Sequence, residues 1–333
     1  MKYLLQAVSF LVCTLLSSPA LPWGAEGHQD VGAIADQLLA GHPAQQKVRD
    51  ILGFDLREAG PWADCIRSVQ KNDDGSFTYK HHPIFGVPCV GFETPTEKAR
   101  MEDYARRNWT NCNAQSDRAC HAEYHFTDIS IHQYDYAFGR KGTSDHDIVH
   151  AINAAIDVLR DKPARQPFSI KDKKEAIFLL AHFLGDLHQP LHVGAVYLDD
   201  RGRLINPDGP KGDKAEETQG GNLLGGEGPS MHSEWDRAPN DLMSGPNAAL
   251  IQKAKAVAPT TGEVDEWPTI WASETVRAAH TAFTGVTFSA NGPRWDVFYS
   301  DRAVYLETQD KLKRDQMAKG GARLAELLKA TLQ

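Results

Sequence analysis

Several stretches of the chain repeat apolar residues every three or four positions, which is the spacing of an α-helix with one buried face. One of these helices is predicted to begin at an N-cap, Ser169, and to run through Leu187 until Pro190 ends it. The apolar spacing predicts the other helices over 28–39, 145–159, 246–257, 268–284 and 299–331. The predicted fold class is therefore all-α.

Two segments lack this periodicity. Residues 69–120 mix Gly, Pro, Asn, aromatic residues and three cysteines, and residues 199–230 are rich in Gly, Asp, Lys and Pro. Both compositions predict long loops. With 333 residues, 41% of them hydrophobic, the chain can bury a large core. We expect a mainly helical single domain with two long loop insertions.

The first residues have the composition of a secretory signal peptide. Met1-Lys2-Tyr3 precedes a mostly apolar run over residues 4–16, and small residues follow it. This predicts a leader over 1–22, a mature domain over 23–333 and a secreted or periplasmic location. Ser18-Pro19-Ala20 resembles a cleavage signal more closely than Pro22 does, so an end at Trp23 requires a tolerant peptidase or a second trimming step.

Four cysteines remain once the leader and its Cys13 are removed: Cys65, Cys89, Cys112 and Cys120. An even number in an exported protein predicts two disulfides, with three connectivities open and free buried thiols as the alternative. The formal net charge of −8 is not the usual electrostatic footprint of a nucleic-acid-binding protein. Bound divalent cations would reverse that sign locally.

Two histidine–aspartate pairs have metal-site spacing. His182 and Asp186 are four apart, as are His232 and Asp236, so each pair would share one helical face. His192 follows Pro190, where the chain can turn back toward His182. A single such pair is more often a surface pair or a hydrogen-bonded core histidine. Two pairs flanked by apolar helix indicate zinc half-sites, because burying Asp186 among apolar residues is costly without a cation.

These residues resemble those of a known family, the class I zinc-dependent nucleases, which comprises fungal single-strand nucleases and their plant and bacterial relatives. The resemblance spans most of the mature chain in the family's order. It rests on Trp23-Gly24-x-x-Gly27-His28, Pro61-Trp62-Ala63-Asp64-x-x-Arg67, Tyr124-His125-Phe126-x-Asp128, the block from His182 to His192, Gly220-Gly221-Asn222 and His232-x-x-Trp235-Asp236.

The resemblance implies a mainly α-helical fold of the zinc nuclease and phospholipase C type, with three zinc ions in a cleft. It implies that the first zinc takes Asp64, His125, His182 and Asp186, and the second His192, His232 and Asp236. The third would take the amino nitrogen and carbonyl oxygen of Trp23, with His28 and Asp186. The 69–120 insertion is long for the family, and we expect it to form a disulfide-pinned loop over or beside the cleft.

The implied activity is hydrolysis of single-stranded DNA and RNA to 5′-phosphorylated products, with 3′-nucleotides as further substrates. Asp64, Arg67 and Asp186 would be catalytic, with Arg67 against the phosphoryl oxygens. Phe126 would stack on a base and Asp128 would hydrogen-bond the edge of that base. The alternatives are a solvated arginine, a core phenylalanine and a turn-capping aspartate.

Three other histidines are not expected to bind metal, and two other functions are compatible with the sequence. His188 is expected to support the ligands at most, and His81 and His82 are expected to be exposed and have no assigned role. One alternative function is a zinc phospholipase C, and another is a non-enzymatic exported zinc-binding protein. The sequence implies no membrane association and no protein partner.

Overall fold

The structure is a computed structural model, and it describes residues 24–83, 86–113 and 119–332. Within these ranges it contains eleven α-helices, which confirms the all-α class. They are α1 Ala25–Leu39, α2 Pro43–Leu52, α3 Leu56–Ala59, α4 Trp62–Cys65, α5 Pro95–Arg107, α6 Ile148–Leu159, α7 Lys173–Asp186, α8 Met231–Asp236, α9 Ala248–Lys255, α10 Trp267–Ala282 and α11 Arg302–Thr331.

Helix α7 lies at the centre of the molecule. Every residue from Glu175 to Asp186 is buried, so the helix is enclosed on all sides by α1, α3, α6 and α11. Helices α1 and α11 approach closely at Gly321, where a Cβ atom would lie 2.5 Å from Ile34 Cβ. A glycine is required there because any side chain would push the two helices apart. No helix in the described ranges combines the length and apolar content needed to cross a bilayer.

The predicted start of α7 is wrong. Its N-cap is Asp172, whose carboxylate accepts the Glu175 N–H at 2.9 Å, whereas Ser169 lies before the helix. Ser169 is instead held by Asn108, whose side chain bonds both the N–H and the carbonyl of Ser169 at 2.9 Å. The predicted end is close, since α7 stops at Asp186 and a 3₁₀ turn over Pro190–His192 follows.

The strands are short and occur in pairs. In chain order, β1 Val69–Lys71 pairs antiparallel with β2 Phe77–Tyr79, β3 Ile129–Ser130 parallel with β4 Gly194–Ala195, β5 Tyr197–Leu198 antiparallel with β6 Glu216–Glu217, and β7 Val286–Asn291 antiparallel with β8 Arg294–Tyr299. The β3–β4 pair matters most for the site, because it fixes the segment after His125 against the segment after His192.

The prediction of an irregular 69–120 segment is wrong in part. The described part contains the β1–β2 hairpin, a 3₁₀ helix over Val87–Phe92 and the 13-residue helix α5. Helix α5 buries only Met101, Tyr104 and Ala105, so its apolar periodicity is weak. The two expected disulfides are present as Cys65–Cys89 and Cys112–Cys120. The 199–230 segment is mostly irregular, as expected.

Candidate metal centre and cleft

Three groups of imidazole and carboxylate side chains lie side by side around α7. Within each group the ligand atoms are all within 4.8 Å of one another. The groups are His28, Asp64 and His182; His125, His182 and Asp186; and His192, His232 and Asp236. The side chains come from α1, α4, the segment before β3, α7, the Pro190–His192 turn and α8, so residues far apart in sequence meet at one place.

Helix α7 supplies the side chains shared between groups. His182 and Asp186 are one turn apart, with 3.1 Å between His182 Nε2 and Asp186 Oδ2. The ring of His28 from α1 stacks on that of His182 with 3.6 Å between centroids. Gly185 makes this approach possible, because a Cβ atom there would lie 2.7 Å from His28 Nδ1. The glycine between the two α7 ligands is therefore required by packing.

Three of the histidines are oriented by a hydrogen bond from Nδ1 to a backbone carbonyl. Nδ1 of His182 bonds the Gly60 carbonyl at 2.8 Å, Nδ1 of His192 bonds the His125 carbonyl at 2.9 Å, and Nδ1 of His232 bonds the Gly220 carbonyl at 2.8 Å. A carbonyl only accepts, so each Nδ1 carries the proton. Nε2 is then left as the atom with a free lone pair, which is the usual arrangement of a metal-ligating histidine.

The cluster also concentrates buried polar atoms that have no hydrogen-bond partner in the described protein. They are both ring nitrogens of His28, Oδ1 of Asp64 and of Asp186, Nε2 of His192 and Oδ2 of Asp236. Buried polar atoms are normally paired, because each unpaired one costs about 1–3 kcal/mol. Imidazole nitrogens and carboxylate oxygens facing one another across 3–5 Å are a donor set that suits zinc. The residues present thus fit bound metal ions.

The electrostatics of the cluster favour the metal-binding protonation state at some of its residues and the protonated form at others. Burial, with the neighbouring His182, lowers the pKa of His28 to about 3, so its ring is neutral. Burial alone would raise the pKa of Asp186, but the surrounding imidazoles, His192 first, hold it well below its usual range. His182 and His192 differ, because neighbouring carboxylates outweigh the effect of their burial. Asp186 and Asp64 raise the pKa of His182, and Asp186 and Asp236 raise that of His192 to about 9. A metal ion must therefore displace a proton from His192 near neutral pH.

The cluster borders a cavity of about 600 Å³. Arg67 lines it with its side chain half exposed, and 3.6 Å separates its Nη1 from Oδ1 of Asp64. Phe126 and Asp128 line the same cavity, with Phe126 half-buried and Asp128 buried. Asp128 is fixed through its backbone, since its N–H bonds the Gly142 carbonyl at 3.0 Å and its carbonyl accepts Tyr197 Oη at 2.8 Å.

Eleven of the twelve residues singled out from the sequence come together at this site, and the twelfth, Trp23, lies outside the described residues. His188 faces elsewhere: its Nδ1 bonds the Leu184 carbonyl at 2.7 Å, and Arg323 lies 2.8 Å from its Nε2. His81 is exposed, as expected, whereas His82 is half-buried, and both line the cavity together with Lys80. Their histidine and lysine side chains lie in a segment predicted to be irregular, so sequence spacing gave no sign of their position.

Comparison with known proteins adds an independent finding. Residues 23–333 match the family model described as S1/P1 Nuclease. The chain is similar to Endonuclease 2 of Arabidopsis thaliana, with 26% identity over 330 residues that cover 92% of this chain and 89% of the relative. It is also similar to Endonuclease 4 of the same plant, with 28% identity over 200 residues that cover 58% of this chain and 51% of the relative.

Proposed function

The chain belongs to the S1/P1 nuclease family, and from that premise we propose that it is an exported, three-zinc endonuclease that cuts single-stranded DNA and RNA. Membership makes it a metal-dependent hydrolase of phosphodiester bonds in nucleic acids. The proposal adds that the metal is zinc, that three ions are bound, and that single strands are preferred. It also adds 5′-phosphorylated products and activity on 3′-nucleotides. It also takes residues 1–22 as a leader and 23–333 as one mature domain. The two disulfides support export, because such bonds persist in oxidising compartments.

The observation that carries the proposal is the set of unpaired, buried ligand atoms beside a cavity lined by Arg67. We assign one zinc to Asp64, His125, His182 and Asp186, a second to His192, His232 and Asp236, and a third to His28, Asp186 and the free amino terminus at Trp23. The short distances within the group of His125, His182 and Asp186 support the first assignment. Those within the group of His192, His232 and Asp236 support the second. The third requires cleavage directly before Trp23.

Zinc ions held by these residues would supply Lewis acidity and lower the pKa of water at the site. Asp186 is buried and Asp64 is half-buried. Their pKa values are lowered because the surrounding imidazoles, together with Arg67 beside Asp64, outweigh the effect of desolvation, so both would present charged oxygens to the metals. The guanidinium of Arg67 binds the non-bridging phosphoryl oxygens and neutralises the negative charge that develops there. Ionised Asp64, 3.6 Å away, positions this guanidinium.

The substrate-binding residues account for the strand preference. Phe126 offers a half-buried ring on which a base stacks, and Asp128 accepts a hydrogen bond from the edge of that base. Stacking on an aromatic ring tolerates any base but requires that the base has left its duplex. An extended single strand therefore meets this requirement at lower free-energy cost than a duplex does.

Metal analysis of the mature protein, combined with N-terminal sequencing and substrate assays, tests the proposal. We expect about three zinc ions per chain, an N-terminal Trp23, and cleavage of single-stranded DNA and RNA in preference to duplex DNA. Phosphatidylcholine is the control substrate for the phospholipase alternative, and a zinc-loaded protein without any phosphodiesterase activity would indicate a binding protein. One zinc ion or none, or a retained Leu21-Pro22, would contradict the three-zinc assignment.

Arg67→Ala tests the role of the arginine within the same assays. We expect kcat to fall about 10²- to 10³-fold, as when one preorganised donor to a developing oxyanion is removed, while the zinc content stays unchanged. Arg106→Ala is the matched control, because Arg106 is similarly exposed and lies on α5, away from the cavity. Equal kcat values in the two variants would contradict the assigned role.

A further inference from the structure

One edge of the cavity is formed by residues that the ligand set and the base-binding pair leave unused. They lie in and beside the β1–β2 hairpin, which begins two residues after Arg67. We call this surface the hairpin edge, and it consists of Ser68, Gln70 and residues 80–82, all of which line the cavity.

The charge of the hairpin edge contrasts with that of the whole chain. The formal net charge of the chain is −8, yet the described residues that line the cavity include only two carboxylates, Asp64 and Asp128. Asp64 belongs to the metal cluster, and Asp128 is the residue assigned to bind the base. The hairpin edge itself carries Lys80, two histidines and neutral polar groups. It therefore offers a positive surface beside the position of the reacting phosphate.

Lys80 is the residue with a fixed positive charge on this edge. Its side chain is exposed, and no ion pair joins it to another described residue. His81, by contrast, has its Nδ1 2.5 Å from a carboxylate oxygen of Glu93. An exposed, unpaired ammonium on a long flexible stem can reach a phosphate in the cavity at little desolvation cost.

The backbone places Lys80 next to Arg67. The Lys80 N–H bonds the Ser68 carbonyl at 3.0 Å, and the register pairs Val69 with Tyr79, so Lys80 lies opposite Ser68, the residue after Arg67. Neighbouring strands are about 5 Å apart. Two cationic side chains thus leave the backbone at adjacent points on the cavity rim, a spacing suited to successive phosphates of one strand.

The hairpin edge is also held in place. Tyr79 is buried, its N–H bonds Glu102 at 2.8 Å and its hydroxyl donates to Glu93 at 3.0 Å. The Cys65–Cys89 disulfide links the residue after Asp64 to the segment beyond the hairpin, and Cys89 itself lines the cavity. Lys80 therefore extends from an anchored backbone, so that little backbone entropy is lost when it binds a ligand.

We propose that Lys80 forms a second phosphate subsite, which binds the phosphate next to the scissile one and so favours oligonucleotides over dinucleotides. This inference rests on the proposed function, since the scissile phosphate is the one at the zinc cluster and Arg67. Contacts to phosphate carry no sequence information, so the preference is for strand length and not for sequence.

Kinetics with two substrates test the subsite in the zinc-loaded enzyme. A single-stranded decanucleotide has a phosphate for Lys80, whereas a dinucleotide without terminal phosphates has only the scissile one. We expect Lys80→Ala to raise the KM for the decanucleotide about fivefold, the upper end for one exposed ion pair, with kcat unchanged and the dinucleotide unaffected. Lys80→Arg should restore the KM. Lys71→Ala is the matched control, because Lys71 is exposed on the same hairpin but does not line the cavity.

Binding of a cleavage-resistant phosphorothioate strand, followed by fluorescence anisotropy, separates the subsite from catalysis. Lys80→Ala should reduce the dependence of log affinity on log salt concentration by about 0.7, the value for one phosphate contact on a single strand. If Lys80→Ala matches Lys71→Ala in both experiments, or impairs both substrates equally, the subsite is wrong while the nuclease assignment stands. If the wild type binds the strand through Lys80 but cleaves nothing, the proposed function is wrong while the subsite stands.

Discussion

At the scale of single residues, Gln189 orients the proposed ligand Asp236 without lining the cavity. Its Oε1 accepts the Leu191 N–H, which fixes the orientation of the amide, and its Nε2 therefore donates to Asp236 Oδ1 at 2.7 Å. That bond occupies Oδ1 and leaves Oδ2, 3.4 Å from His232 Nε2, as the oxygen available to a metal. Gln189 is thus a positioning residue for the His192, His232 and Asp236 group.

We predict that Gln189→Leu weakens one zinc equivalent about 10- to 100-fold, the usual effect of removing a group that orients a metal ligand. A competition titration against a chromogenic chelator measures this directly. The control is Gln316→Leu, which removes another buried glutamine amide, one that bonds the His188 carbonyl at 3.0 Å and does not touch a ligand. Identical zinc affinities in the two variants would contradict the role of Gln189.

The sequence could identify the proposed ligands but not the groups that orient them. The spacing of His182 and Asp186 states that both lie on one helical face, because helix geometry depends only on separation along the chain. The groups that orient His182 and His232 are the carbonyls of Gly60 and Gly220, and every residue has a carbonyl, so no residue type identifies them. Gln189 is likewise undetectable, since its partner lies 47 positions later.

At the scale of elements, the short helix α8 depends on α11 for its position. Helix α8 has only six residues, yet it carries His232 and Asp236. Lys313 of α11 is buried, and its Nζ donates to the carbonyls of Glu234 at 2.6 Å and Arg237 at 2.8 Å. Carbonyls at the end of a helix lack intrahelical partners, so a buried ammonium there both pairs them and favours the helix dipole.

Burial has a consequence for pH dependence, because it lowers the pKa of Lys313 from 10.5 to about 8. Between about pH 8 and 10.5 the unfolded chain binds more protons at this lysine than the folded chain, so its contribution to the free energy of unfolding rises with pH. We predict that Lys313→Met lowers the slope of that free energy against pH in this window, measured by urea denaturation. Lys311→Met is the control, since Lys311 is exposed on the same helix. An unchanged slope in Lys313→Met would contradict the prediction.

The elements that the sequence predicted best are those that bury a broad apolar face. Helices α6 and α10 were located within a few residues, because their apolar stripes are set by packing against the core. Helix α5 was missed because it buries three residues of thirteen, and the start of α7 was misplaced because Ser169 and Asp172 are both acceptable N-caps. The choice between them depends on Asn108, which is distant in sequence.

At the scale of the whole molecule, the metal cluster brings together side chains that are far apart in sequence. Its side chains include residues of α1, of α7 at the centre of the core and of α8, which α11 in turn supports. The main hydrophobic core packs around α7, and a second cluster of buried residues includes Leu191 and Trp235, neighbours of His192 and Asp236. Bound metal therefore acts on the packing of both clusters at once, and not on one loop.

We predict that removing the metal lowers the thermal stability of the entire protein in one cooperative step. A ligand that binds only the folded state stabilises it by about 4 kcal/mol at a thousand times its dissociation constant. The buried carboxylate and imidazole atoms that have no hydrogen-bond partner among the described residues are the atoms that bound metal would satisfy. Calorimetry before and after chelation measures the change, and added zinc should restore the original Tm.

Two controls make the result specific to this cluster. Magnesium prefers all-oxygen sites, so magnesium should not restore the Tm. Asp186→Asn removes a carboxylate that the proposed assignment shares between two zinc ions, so chelation should shift the Tm of that variant much less than that of the wild type. If chelated and loaded wild type unfold at the same temperature, the metals do not contribute to folding stability. The unpaired atoms around α7 would then be satisfied by water, because a buried carboxylate left without any partner would itself lower the stability of the folded state.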